Sequence, residues 1–498
     1  MTYTEYMSMN AFQRFWYKFT QFIKAIPSGL KKFFCFLGSA IVKFFVGIGR
    51  GVKNYFVGFV KGDIFTKLSY VIMGAGNLCR GQIIKGLAFL AVEVGYIAFM
   101  VFFGANYLAL FKDLTYVAHT ETSALVGEYT VVDVYSYEIL LYGILAIMVT
   151  IAAFAIYIAS TKSAIATEAI VKSGKKAPKF KEELKDLLDS KFHTTMLSLP
   201  IVLICVFVLL PLIFMIVMAF TNFSDKNYDS FSWYGLGNFR EIFSGSNIGY
   251  TFAKIAGWTL IWAVFATFSN YVLGMIVALM INKKGIKLKK LWRTMFVMTI
   301  AVPQFVTLLL IASMLDKAPE SPLNLIISMF TGAPSKVDVL TTANNAILAR
   351  IVVILVNCWV GIPYTILMIS GLLMNIPEDL YESAKIDGAG PVKSFTKITL
   401  PYMLFVTTPY LITTFIGNIN NFNVIYLLTG GGPKVSDYMN GTAGKTDLLI
   451  TLLFNLSVNQ NKYGLGAAIG ILVFLVCATL SLVTFNMTKS AKNEEEFS

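Results

Sequence analysis

The sequence predicts an all-α, polytopic transmembrane helix bundle of eight spans. Three observations predict it. Of 498 residues, 56% are hydrophobic and only 14% are charged. Soluble domains carry about a quarter charged residues, so this chain has too little polar surface to cover itself and its bulk must lie in lipid. Eight apolar segments reach the roughly 20 residues that a bilayer core demands of a helix. The connections between them alternate between rich and poor in Lys and Arg. Each span must be a helix, because in lipid the backbone has only its own groups to bond.

The first 86 residues precede any clean span. They hold twelve Lys and Arg against two acids. Three Phe-rich apolar stretches (Phe15–Ile26, Leu30–Phe45, Val46–Val60) are interrupted by bases such as Lys31, Lys43 and Arg50. Such segments suit helices lying in the interface on anionic lipid, so 1–86 reads as a basic amphipathic cytoplasmic or interfacial segment. A partner-docking element is one alternative. A true span near Phe33–Gly49 is another, and it would place Lys43 deep in lipid. The polar start has no small-residue cleavage site, so no removable signal peptide is expected.

Spans one and two, at 87–111 and 139–160, form an accessory region over 87–191. Spans three to eight run at 197–221, 257–281, 292–315, 347–374, 402–428 and 464–488, within a core domain of 192–489. Residues 490–498 form a tail. The 161–196 connection carries eight lysines, whereas 112–138 carries only Lys112. Lys283, Lys284, Lys287, Lys289, Lys290 and Arg293 crowd the short connection before span five, and Lys385, Lys393 and Lys397 lie in 375–401. Positive connections stay inside. Both termini and the 375–401 connection are therefore expected on the cytoplasmic face of a cell membrane. This bias accounts for the net charge of +13 and calls for no nucleic acid partner.

The connection before span seven reads IPEDLYESAKIDGAGPVKSFTKITLP. Pro377 suits a helix start, and Glu378 and Asp379 favour the positive end of the helix dipole. Gly388-Ala389-Gly390-Pro391 stops that helix, and the chain restarts through Val392–Ile398. Two short helices with a tight bend, lying along the membrane, are expected. The order is Glu382-Ser383-Ala384, three residues, Gly388, nine residues, Ile398-Thr399-Leu400-Pro401. It resembles the EAA loop of membrane subunits in ATP-binding-cassette importers, with Ser for the first Ala. An ordinary amphipathic loop is the alternative, and it leaves the closing I-x-L-P without a reason. The resemblance implies a type I ABC importer permease fold. It also implies that Glu382, Ser383, Ala384, Asp387 and Gly388 couple to a separate ATPase, with Glu382 pairing a basic residue and Gly388 permitting the bend.

Further runs narrow the resemblance. Ile354–Gly361 reads ILVNCWVG, Phe415–Leu428 reads FIGNINNFNVIYLL, and Thr429-Gly430-Gly431-Gly432-Pro433 follows. Over most of Met196–Lys489 the chain is similar to the maltose/maltodextrin (MalF-type) permease family. That family places Asn357, Val360, Gly361, Asn418 and Asn421 on substrate-lining positions. Gln304 stands where the family has Ser, and Ile300 replaces an aromatic. The implied partners are a second, MalG-type permease, an ATPase dimer, an extracellular sugar-binding lipoprotein, a maltodextrin-like oligosaccharide and membrane lipid. The family's gram-negative members carry a large insert after span three. The 222–256 connection has no room for it, which suggests a bacterium without an outer membrane.

The residues agree with a sugar path on their own terms. Sugars are held by polar side chains and aromatic faces. Amides in a span are costly unless they face a wet cavity or another helix. Asn357, Trp359 and Tyr364 lie in span six. Asn418, Asn421 and Tyr426 lie in span seven, with the first two on one face of a continuous helix. Bonding helices together is the competing role, weighed most heavily for Asn270, Asn420 and Asn423. Trp258 and Trp262 read as interfacial anchors or lipid-facing side chains.

No catalytic chemistry is expected. The five cysteines are scattered with no C-x-x-C spacing, and only His119 and His193 occur, so neither a metal site nor a cofactor is called for. Gly444-Lys445-Thr446 has the form of a phosphate-loop ending, but position 439 is Met where that loop needs Gly. ATP hydrolysis would belong to a partner chain. An ion-driven secondary sugar transporter is the alternative. It needs acids or arginines within the bundle, and the spans offer little beyond Glu93 and Arg350.

Overall fold

The computed structural model describes residues 55–123, 127–283, 285–341 and 346–487, with isolated positions between 35 and 51. The expected interfacial stretches before residue 55 and the 490–498 tail fall mostly or wholly outside the described residues. Among the described residues, seven helices are long and apolar enough to cross a membrane, and a bent pair makes an eighth if it is taken as one span.

The chain divides into two compact units. One holds Phe36–Asn238 with Asn461–Ala468. It contains helix α1 (Ile83–Phe111), strands β1 (Val117–Ser123) and β2 (Gly127–Val134), α2 (Ser136–Lys172) and α3 (Phe192–Met218). The all-α expectation is corrected here to mostly helical. β1 and β2 pair antiparallel, Val117 opposite Val134 and Thr120 opposite Thr130. Valines, threonines and Tyr129 fill these strands, residues that suit a pleated surface better than a helix. Ser136 ties the hairpin's foot by donating to the Leu114 carbonyl at 2.6 Å.

α2 continues past the expected end at 160 because its polar half finds partners. Arg80, almost fully buried, donates to Asp63 Oδ1 and Thr66 Oγ1, both at 2.6 Å, and to the Ala164 carbonyl at 2.9 Å. Glu168 accepts the Asp63 N–H at 3.1 Å. Burial pushes the Asp63 carboxyl up, but the Thr66 N–H and the Arg80 guanidinium outweigh it and hold its pKa below the usual range. Glu93, within α1, accepts the Met73 N–H at 2.8 Å.

The other unit holds Phe239–Gln460 and the chain from Ile469 onward. Its helices are α4 (Asn247–Asn282), α5 (Lys289–Ala301), α6 (Gln304–Met314), α7 (Pro322–Thr331), α8 (Ala346–Leu373), α9 (Glu378–Ile386), α10 (Pro391–Ile419), α11 (Phe422–Thr429) and α12 (Leu449–Asn459). α13 (Tyr463–Met487) is the last helix among the described residues, its first turns counted with the unit of Phe36–Asn238. α4 and α8 lie close. A Cβ on Gly274 would meet Thr365 Cβ at 2.6 Å, so only glycine permits this approach.

Two expected spans are broken. Span five splits into α5 and α6, bent by 87°. Val302 is extended there, before Pro303, which lacks an N–H and disfavours helix in the residue ahead of it. Span seven starts earlier than expected, at Pro391, and ends at Ile419, after which α11 starts afresh. The run Asn420, Asn421 and Asn423 competes for backbone hydrogen bonds, and Asn421 accepts the Val424 N–H as an N-cap at 3.3 Å.

The tryptophan reading is also corrected. Trp258 and Trp262 are 6% and 0% exposed. Their indole nitrogens donate to the carbonyls of Thr446 at 3.2 Å and Asn418 at 3.0 Å. They sit in an apolar cluster with Ala266, Leu308, Val353, Val356 and Ile425, among others.

The segment between α11 and α12 folds around buried Asp447. Its carboxylate accepts the Gly444 N–H at 2.7 Å and the Thr451 hydroxyl at 2.8 Å, with Lys434 at 3.7 Å. Burial pushes this carboxyl up despite those partners. Gly431 has φ +82°, and a Cβ there would lie 2.0 Å from Asp447 Oδ1. Gly431→Ala is expected to lower the thermal unfolding midpoint of the purified protein. The left-handed backbone alone costs about 1–2 kcal/mol, and the clash adds to it. An unchanged midpoint would show that the loop does not depend on this contact.

Candidate functional site

α4, α6, α8 and α10 converge on a cavity of about 350 Å³. α4 contributes Thr267, Asn270 and Tyr271, spaced so that one helix face presents all three. Gln304 comes from the first turn of α6. α8 supplies Asn357, Val360, Gly361, Tyr364 and Thr365, and α10 supplies Tyr410, Thr414 and Asn418 at four-residue steps. The lining sets amides and hydroxyls among largely apolar surface.

Of the six residues expected to line a substrate path, Gln304, Asn357, Val360, Gly361 and Asn418 meet in this cavity. Asn421 stands behind it. It does not share a helix face with Asn418, because the chain breaks between α10 and α11. Its amide nitrogen instead reaches Asn418 Oδ1 at 3.3 Å and Asn357 Oδ1 at 3.5 Å. Asn421 thus orients the two amides that face the cavity. Asn418 is held further by donating to Thr267 Oγ1 at 3.0 Å.

Two residues of the lining each carry a fully buried amide atom with no hydrogen-bond partner, Asn357 Nδ2 and Asn270 Oδ1. Leaving such atoms unpaired costs roughly 1–3 kcal/mol each. They are places where a ligand hydroxyl would be welcome. Thr267, Tyr271, Thr365, Tyr410 and Thr414 were not singled out from the sequence. The signal was present in the i, i+4, i+8 spacing of 410, 414 and 418 and of 357, 361 and 365. A larger cavity of about 650 Å³ lies against the α6–α7 connection, with Asp316, Lys317, Glu320 and Asp338 in its lining. None of the unpartnered buried polar atoms found among the described residues belongs to it.

At the opposite end of this unit lies the 377–401 connection. α9 ends in a two-bond cap. The Ala389 N–H donates to the Ala384 carbonyl at 2.8 Å and the Gly388 N–H to the Lys385 carbonyl at 3.1 Å. Gly388 has φ +73°, the left-handed conformation this cap requires. Glu382, Ser383, Asp387 and Gly388 are exposed, and Ala384 is half-buried. The Tyr381 hydroxyl meets Thr399 Oγ1 at 2.8 Å and pins α9 against α10.

The second short helix expected here is instead the start of α10, which runs unbroken from Pro391 to Ile419. A π-helical turn at Phe395–Thr399 immediately precedes Leu400-Pro401. Pro401 has no N–H, and its ring would crowd the carbonyl four residues back, so the wider turn accommodates it. The closing I-x-L-P therefore marks a proline seated within a long helix, behind a π-helical turn. α10 thus connects the residue that α9 touches, Thr399, to Tyr410, Thr414 and Asn418 in the cavity.

Arg350, in the first turns of α8, donates to the Lys445 carbonyl at 2.8 Å and lies 4.2 Å from the Trp258 ring centroid. Both it and Glu93 are thus engaged in holding backbone and ring contacts.

Residues 270–490 match the family described as binding-protein-dependent transport system inner membrane component. The chain is 33% identical over 428 residues to the galactooligosaccharides transport system permease protein GanP of Bacillus subtilis (strain 168), covering 85% of this chain and 97% of that one. It is 30% identical over 432 residues to the maltodextrin transport system permease protein MdxF of the same organism, covering 85% and 95%. Among solved structures, a bacterial alginate ABC transporter in complex with alginate pentasaccharide-bound periplasmic protein shares the fold. That match has a TM-score of 0.50 at 22% identity and covers 61% of this chain and 96% of that one.

Proposed function

The chain belongs to the binding-protein-dependent transport system inner membrane component family, and from that premise we propose that it is the larger permease subunit of an ATP-driven oligosaccharide importer. The observation that carries the proposal is the cavity of about 350 Å³ lined by amides and hydroxyls, two of whose buried amide atoms lack partners. Sugars present hydroxyls that both donate and accept. The substrate class is that of maltodextrins and galactooligosaccharides, the sugars in the names of its relatives.

In this reading eight spans cross the membrane, with both termini and α9 on the cytoplasmic side. Residues 1–86 lie at the interface, 87–191 are accessory, and 192–489 form the permease core. A second, smaller permease supplies the other half of the path. A sugar-binding lipoprotein delivers the substrate from outside. An ATPase dimer docks on Glu382, Ser383, Ala384, Asp387 and Gly388, and its closure moves α9 and with it α10. The bundle then rocks between inward- and outward-facing states. This chain contributes binding and coupling, while hydrolysis belongs to the ATPase.

Two measurements test this. Isolation of the chain in mild detergent is expected to recover a second permease and an ATPase. Failure to recover them, together with no ATPase crosslinked in cells from Ser383, overturns the importer. In proteoliposomes holding the whole complex, Asn357→Ala and Asn418→Ala are each expected to lower sugar uptake about tenfold, the worth of one well-placed hydrogen bond. Uptake unchanged in both would remove the cavity from the path.

A further inference from the structure

We propose that Asn270 is a sugar-contacting, specificity-determining residue, its side-chain oxygen accepting a substrate hydroxyl. The inference rests on the importer reading above. Asn270 lies in the middle of α4, only 9% exposed, and it lines the cavity. Were its role to bond helices together, its oxygen would accept from a neighbouring helix. Asn270 Oδ1 accepts from nothing, although it is buried.

Gly361 explains how the amide comes to sit there. A Cβ on Gly361 would lie 2.4 Å from Asn270 Nδ2 and 2.9 Å from Asn270 Oδ1. The Asn270 amide occupies the room that any larger residue on α8 would fill, so the glycine works by admitting a polar group from α4. One helical turn before Gly361 on α8 is Asn357, whose Nδ2 is the lining's other unpartnered atom. Two lining residues therefore each carry an unused polar atom, one acceptor and one donor, both closed off in this state and brought to a ligand by a turn of the amide. A sugar hydroxyl satisfies either, and a pair of neighbouring hydroxyls satisfies both. A site that leaves a buried polar group unpaired without its hydroxyl discriminates against sugars that place that hydroxyl differently.

The test is uptake of maltotriose and of a galactotriose by proteoliposomes holding the whole complex, with the binding protein saturated. The preferred trisaccharide is expected to lose about tenfold in Asn270→Ala, and the other less, so that the ratio of the two rates moves. Gly361→Ala, which displaces the amide without removing it, is expected to move the ratio in the same direction. It also keeps the test informative should Asn270→Ala fail to assemble. A structural amide would depress both sugars in equal proportion. An unchanged ratio in both variants overturns the assignment. Uptake of neither sugar by an assembled wild-type complex overturns instead the substrate class of the importer reading.

Discussion

Gly388→Val is expected to cut sugar uptake at least about tenfold, while Gly388→Asn keeps most of it. Backbone conformation alone sets the difference. Nothing lies within 4 Å of where a Cβ on Gly388 would be, so no side chain clashes. The cost comes from φ +73°. An L-residue in that conformation costs about 1–2 kcal/mol, more when β-branched, whereas Asn visits it readily. Val would open the cap made by the Gly388 and Ala389 N–H groups, and α9 would leave α10 at a different angle. Each 1.4 kcal/mol is tenfold in the population of the competent geometry. The helices α4 and α8 make no use of this bend, so the thermal midpoint of the membrane bundle should stay near the wild-type value. ATPase co-purification, uptake and the midpoint together decide the matter. Wild-type uptake in Gly388→Val would remove the bend from coupling. Equal loss in the Val and Asn variants would sink the backbone explanation.

The same residues show how far the sequence could be read. The letters around Glu382–Pro391 located a helix and its stop, because caps and prolines act locally, but the helix expected over Val392–Ile398 proved to be the start of the long α10. Amides in the spans pointed to Asn357 and Asn418, because an unpaired amide in lipid is too costly to be idle, while Gln304, Val360 and Gly361 came from the family resemblance. What escaped was tertiary. Hydropathy reports that a stretch is apolar, and a protein core and a lipid tail are equally apolar, so Trp262 looked like a membrane-facing ring. A proline such as Pro303 is tolerated in many spans, so its presence did not announce an 87° bend. The polar end of α2 dropped below the apolar threshold, yet Arg80 and Asp63 give it partners. Asn270 fell between two readings, and only the missing partner of its oxygen separates them.

Trp262→Ala is expected to lower the unfolding free energy of the solubilised complex by about 3 kcal/mol and to abolish most uptake. Trp262 is fully buried, and its removal leaves a large void among Ala266, Val356 and Ile425. The usual water-transfer gain is small inside a membrane, so the loss is chiefly of packing contacts. A second loss comes from the Asn418 carbonyl, which accepts the indole N–H at 3.0 Å just where α10 ends. Together with Thr267, that bond fixes Asn418 from α4 and so fixes one wall of the cavity. Trp262→Phe separates the two effects. It keeps most of the packing and loses only the hydrogen bond, for about 1 kcal/mol. If uptake falls in Trp262→Phe while the midpoint barely moves, Trp262 positions Asn418. If uptake tracks the midpoint through both variants, Trp262 is only a core residue, and the wall of the cavity is held by Thr267 and Asn421.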